Sequence, residues 1–448
     1  MCNGTIMDKL ISFSIPLMLS GILQLMFNAV DIVVVGRFSG SQALAAVGST
    51  TALINVFTNL FIGISLGANV LAARYYAAGK TKEMSETVHT AIALALVSGV
   101  AMAVIGVVFA RGALEIMGTP DDVIAKSTLY MRIYFLGMPF FMLYNYGAAI
   151  LRAVGDTKRP LLFLMIAGVI NACLNMVLVI VFKLGVAGVA IATVISQMIS
   201  CVLVLRCLCR SESSYRLRFS ELGMKGYYLK QIFSVGVPAG IQSTVINFSN
   251  VLLQSSVNSF GSTAMAGYTA ANNLLGFLYV SVNSITQACM SFTSQNYGVG
   301  KLKRMDRVLA DCMILSVVVA VVLGCICYGF GPEILQIYTE DAEVIACGME
   351  ILAYTTITYF LCGWMDLFPG ALRGMGYSAV PMVLSVIGTV GTRVVWIFGI
   401  FPYHRSLAIL FISYPASWII TIVLQVICFY FVRRRVHRRS QALAGQEA

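Results

Sequence analysis

From residue 231 to residue 300 the chain runs for seventy positions without a single Asp, Glu, Lys, Arg or His. Such a stretch cannot furnish a water-facing surface, whereas a helix that crosses a bilayer needs about 20 consecutive apolar residues. The seventy positions therefore hold two spanning helices joined by a polar turn at Gly261, Ser262 and Thr263. The whole 448-residue chain is 59% hydrophobic and only 11% charged, against about 25% charged in a soluble domain.

Apolar runs at 11–35, 43–73, 91–110, 133–151, 160–182, 189–208, 308–330, 351–372, 381–400 and 407–432 supply ten more spans, twelve in all. The first run is longer than the h-region of a cleavable signal and contains no small-residue cleavage site, so it is expected to remain as span 1. With both termini in the cytosol, 23 of the 30 Lys and Arg residues fall on the inner side, six on the outer side, and Arg393 inside a span. That asymmetry is the positive-inside pattern expected of a multi-pass protein of the cell membrane. The net charge of +11 thus reports orientation, and no nucleic-acid partner is expected. Most of the twelve cysteines sit inside spans, the close pairs Cys207/Cys209 and Cys325/Cys327 lack metal-ligand or redox spacing, and they read as small packing residues.

Three markers recur at one offset. Gly79-Lys80 returns as Gly300-Lys301, Leu151-Arg152 with Gly155 and Pro160 as Leu372-Arg373 with Gly376 and Pro381, and Gly40-Ser41 as Gly261-Ser262, each 221 positions on. Pro16 and Pro238 correspond at 222, which places a one-residue indel in the first helix of one half. The chain is therefore read as a duplication. An even number of spans per half makes the repeats parallel, as in transporters that bind substrate between their halves. The expected organisation is a six-span lobe at 1–209, a cytoplasmic linker at 210–230, and a six-span lobe at 231–448 with a basic tail.

The opening reads Pro16, then Asp31-Ile32-Val33-Val34-Val35-Gly36-Arg37, then Ala43-Leu44-Ala45-Ala46-Val47-Gly48. Span 4 ends in Leu151-Arg152-Ala153-Val154-Gly155-Asp156-Thr157, and span 6 is entered through Gly185-Val186-Ala187-Gly188. These segments resemble the multidrug and toxic compound extrusion (MATE) family. The resemblance covers nearly the whole chain. It implies an all-α integral membrane protein, V-shaped, with two six-helix lobes around a central cavity. It also implies export of small, often cationic organic compounds in exchange for protons or sodium ions, without a cofactor and as a monomer in lipid.

Asp31 is the one acid inside span 1, and a charge at a helix centre costs about 2.5–3.5 kcal/mol or more. Spacing leaves two readings open: a carboxylate facing the lobe interior, or an acid near the outer end paired with Arg37. The resemblance favours the first and makes Asp31 the coupling residue, with sodium or a proton as the ion it holds. Asn171 and Asn175 share one face of span 5. Asn175 stands where much of the family has Asp, so this lobe keeps a single clear carboxylate. Thr193 and Asn145 match polar family positions in the same lobe, and each could equally make an ordinary interhelical hydrogen bond. Tyr144 and Phe141 belong to an aromatic cluster in span 4 that suits either cation stacking in a cavity or plain packing.

In the second half, Asp366 occupies the repeat position of Asn145, and Arg393 interrupts span 11, so the two are expected to form a buried pair. Pro16 and Pro238 sit early in the first helix of each lobe, where a missing amide donor favours a kink. A lipid-linked precursor flippase of the same superfamily is the alternative reading, though it calls for several basic residues in the spans. An enzyme is not expected, because His89, His404 and His437 form no metal-binding cluster. A channel fits a two-lobed duplication less well than alternating access does.

Overall fold

A computed structural model describes residues 1–337 and 339–444; Tyr338 and the last four residues of the basic tail lie outside the described residues. Every regular element among the described residues is helical. Six spans make up the first half: α1 (Met7–Phe38), α2 (Ser41–Ala77), α3 (Thr81–Ile116), α4 (Asp121–Leu136 continuing as Met138–Ala153), α5 (Lys158–Asn175) and α6 (Gly185–Arg210). The second half has α7 (Gly226–Asn258), α8 (Ser262–Gly298), α9 (Leu302–Gly329), α10 (Ala342–Thr355 continuing as Tyr359–Gly374), α11 (Ala379–Ile400) and α12 (Leu407–Ala444). Eight of these are candidate spans by length and hydropathy as single helices, and α4 and α10 qualify as bent pairs. The two helices of the uncharged stretch, α7 and α8, are 33 and 37 residues long and complete the twelve.

The duplication is written into the backbone. Helix α2 ends with Gly79 at φ 69° and a Lys80 amide bonded to the Tyr75 carbonyl at 3.1 Å. Helix α8 ends with Gly300 at φ 73° and a Lys301 amide bonded to Asn296 at 2.9 Å. Both are left-handed helix stops in which glycine avoids the Cβ penalty, and this explains why the marker recurs. The bends recur too. Helix α4 turns by 46° at Gly137, and α10 turns by 51° across 356–358, the equivalent place. Their chemistry differs: Pro139 withholds a donor in α4, while the Thr355, Thr356 and Thr358 hydroxyls bond back to carbonyls in α10.

Span 4 begins at Asp121, well before the expected residue 133. Asp121, Asp122, Lys126 and Arg132 dilute the hydropathy of its first arm, which nevertheless buries Val123, Tyr130, Met131 and Phe135 against protein.

By packing, the chain divides inside two helices. One compact unit is 19–240; the other comprises 1–18 with 241–448. The divisions fall two or three residues after Pro16 and Pro238, at equivalent repeat positions, so each unit holds the first arm of a helix whose remainder belongs to the other. In the second unit Leu10, Phe13 and Leu17 are buried with Ile285, Phe292 and Leu309, and Phe13 meets Phe292 edge to face at 5.6 Å. In the 19–240 unit Ile232 and Tyr228 join the main core, and Gly63 on α2 lies so close to Gly240 that a Cβ there would sit 2.3 Å from its Cα. Small residues at such crossings let two backbones approach within van der Waals contact. The segment after α6 folds back on this unit, with Leu217 only 2% exposed and the Arg218 amide bonded to His89.

Candidate functional site

Phe27 and Asp31 lie one turn apart on α1, and Gly168 and Asn175 two turns apart on α5. Gly168 presents no side chain where Phe27 presses in: a Cβ there would lie 1.9 Å from the ring. That close approach brings the next turn of α1 alongside Asn175, whose side-chain amide donates to the Asp31 carboxylate.

The network continues through neutral groups. Asn175 Nδ2 also donates to Asn171 Oδ1 at 3.1 Å, as the i, i+4 spacing allows. Asn171 Nδ2 reaches Ser196 Oγ at 3.4 Å, and Ser196 donates to the Thr193 carbonyl at 2.8 Å. The Thr193 hydroxyl donates to the Val189 carbonyl at 2.9 Å and lies close to the Asp31 carboxylate. Tyr130 and Tyr134 of α4, with rings 6.1 Å apart, lie close enough for their hydroxyls to feel the Asp31 charge. The structure thus brings Asp31, Asn171, Asn175 and Thr193 together.

Two features decide what the site can do. No ion pair joins Asp31 to a cation among the described residues, Arg37 included. With both hydrogens of Asn175 committed to oxygens, its own Oδ1 is buried without a partner among the described residues. A single carboxylate beside an orphaned amide oxygen suits a proton or one monovalent cation. It lacks the several carboxylates a divalent ion takes, and the described residues contain no group of three or more acidic, His or Cys metal ligands.

The expected cavity residues are otherwise engaged. Tyr144 is buried and its hydroxyl donates to the Pro160 carbonyl at 3.1 Å, bracing α4 on α5. Asn145 bonds back to the Phe141 carbonyl at 2.8 Å, and Phe141 packs against the unit's core. One Asn145 hydrogen and the Tyr144 hydroxyl hydrogen are thus committed to backbone carbonyls.

In the second unit the expected pairing of Asp366 with Arg393 is not formed among the described residues. Arg393, 3% exposed, spends its donors elsewhere: on Asn250 at 2.7 Å, Ser249 at 3.2 Å and Ser417 at 3.4 Å, with its guanidinium 4.7 Å from the Tyr414 ring centre. The cation whose field acts on Asp366 is Arg373, two turns along α10, which donates to Gln242 at 2.6 Å. In the sequence Arg373 stands out only as a repeat marker, and Gln242 and Asn250 carry no signal because neutral amides are common in such helices.

Comparison with known proteins follows the same division. The family model described as MatE matches twice, over residues 16–177 and 238–398. The chain is 31% identical over 434 residues to the probable multidrug resistance protein YoeA of Bacillus subtilis, covering 94% of this chain and 93% of that one. It is 21% identical to the multidrug export protein MepA of Staphylococcus aureus, covering 86% and 85%. Among solved structures, a MATE protein in the bent conformation superposes with a TM-score of 0.87 at 19% identity over 98% of both chains.

Proposed function

The chain belongs to the MatE family of multi-pass membrane transporters, and from that premise we propose that it is an ion-coupled exporter of small organic compounds, many of them cationic, with Asp31 as the coupling residue. The observation that carries this reading is Asp31 itself: a partly buried carboxylate bonded to Asn175 with no cation paired to it among the described residues.

In its ionised state Asp31 accepts from Asn175, with the Thr193 hydroxyl close by. A proton or sodium ion arriving from outside removes the unpaired charge, and the orphaned Asn175 oxygen offers the incoming ion a second ligand or acceptor. The two occupancies therefore require different hydrogen bonding between α1, α5 and α6, which gives the ion a differential grip on two conformations of the bundle. Pro16 frees the Ser12 carbonyl within α1 and gives that helix a place to bend as occupancy changes. The Arg373 and Asp366 pair of groups in the second unit serves as a further charged centre for the transport cycle. Both termini and the segment between α6 and α7 face the cytosol in this reading, in keeping with the distribution of Lys and Arg. The protein works as a monomer in the cell membrane.

Efflux of a panel of cationic dyes from proteoliposomes, under proton and sodium gradients imposed separately, tests the proposal. One gradient should drive export; export under neither would refute ion coupling.

A further inference from the structure

The segment between α6 and α7 closes over the start of α3 and leaves a cavity of about 570 Å³ within the 19–240 unit. His89 fixes this closure. Its Nδ1 lies 2.7 Å from the Ser85 carbonyl and its Nε2 accepts the Arg218 amide at 3.0 Å, which requires the neutral ring protonated on Nδ1. The Lys225 amide donates to the Thr90 hydroxyl at 3.3 Å and holds the other end.

The wall is strongly biased in charge. Lys82, Arg216, Arg218 and Lys225 line it against only Glu86 and Glu221. Both carboxylates are already spent: Glu86 on Lys225 at 2.5 Å, and Glu221 on Arg218 at 2.8 Å, whose hydrogen bond holds the Glu221 carboxyl below its ordinary value. Lys82 and Arg216 have no ion-pair partner within 4.0 Å among the described residues. Thr81, Ser85, Ser213 and Ser214 add hydroxyls to the same wall. The first turn of the 36-residue α3 also opens here, with no side chain capping its amides. Two unmatched cations, four hydroxyls and the positive end of a long helix all favour an oxyanion that accepts many hydrogen bonds.

We propose that this cavity binds a phosphomonoester, on a soluble metabolite or on a lipid headgroup, with Lys82 and Arg216 as its charge partners. The site is separate from the Asp31 network and does not depend on the transport reading, since it is defined by binding alone. On the topology proposed above it opens to the cytosol, where its occupancy would fasten the segment after α6 to the start of α3.

The test uses the full-length protein in neutral detergent, titrated calorimetrically with phenyl phosphate. In parallel, neutral phosphatidylcholine nanodiscs doped with phosphatidic acid are analysed for retained lipid by native mass spectrometry. Saturable binding of phenyl phosphate, weakened at least tenfold by Lys82→Gln with Arg216→Gln and retained in Arg434→Gln, is the expected result and identifies a soluble ligand. Retention of phosphatidic acid only, lost in the same double variant, identifies the headgroup. Thermal unfolding of the variants should match the parent, and Arg216→Lys should restore part of the affinity. Absence of saturable binding in both arms, or binding that the double variant leaves within twofold, overturns the proposal.

Discussion

Asn175 and Asp31, 144 positions apart in the chain, meet through one hydrogen bond from the amide to the carboxylate. Much of the stabilisation of an ionised Asp31 comes from this neutral donor, since no cation is paired with it among the described residues. Replacing Asn175 with Ala should remove a bond to a charged group worth about 1.5–3 kcal/mol, roughly tenfold or more in the ionised state's population. We expect folded yield to be retained and ion-driven export to fall at least tenfold, read as initial efflux rates in proteoliposomes. Asn175→Asp supplies a second carboxylate and should be tolerated or change the pH dependence of the rate. Unchanged rates and an unchanged pH profile in both variants would remove Asn175 from the site.

Gly168 governs whether that meeting happens. Gly168→Ala adds a Cβ into the space of the Phe27 ring, an overpacking that costs about 1–3 kcal/mol. Thermal unfolding in detergent should show the loss, and Phe27→Leu in the same chain should recover part of it. A Gly168→Ala protein as stable and as active as the parent would show that α1 and α5 have room to spare.

The site was partly legible beforehand. Asp31, Asn171, Asn175 and Thr193 stood out as polar groups in apolar helices, and they come together. What makes them converge did not stand out: Gly168 is one glycine among 39, and its meaning depends on Phe27, which lies far away in the chain. The repeat was readable because its glycine stops need left-handed backbone at fixed places. The bend in α10 was not, because threonines there replace the glycine and proline that bend α4. The supposed charge pair failed for a similar reason. Opposite charges in a sequence suggest each other, but Arg393 is satisfied by Asn250, Ser249 and Ser417, which carry no charge to notice.

That satisfaction can be measured. Arg393→Leu and Asn250→Leu share one interaction, so their effects on stability should be non-additive by 0.5 kcal/mol or more, whereas Arg393→Leu and Asp366→Leu should add within about 0.5 kcal/mol. Coupling between Arg393 and Asp366 as large as that with Asn250 would reinstate the charge pair.

The orientation proposed here rests on Lys and Arg, six of which lie between residues 206 and 230. A cysteine placed at the exposed Ser213 in a cysteine-depleted chain should resist an impermeant thiol reagent in intact cells and react once the membrane is opened. Labelling of intact cells would reverse the topology.

The central claim is that one carboxylate couples export to an ion gradient. Asp31→Asn keeps the size and most of the hydrogen bonding of the side chain while removing its ability to hold a proton or a cation. Dye export by the purified variant in proteoliposomes, under the gradient that drives the parent protein, is the direct measurement. The account predicts normal insertion, retained dye binding and loss of gradient-driven export; full ion-driven export by a well-folded Asp31→Asn protein would contradict it and move the coupling site to Asp366.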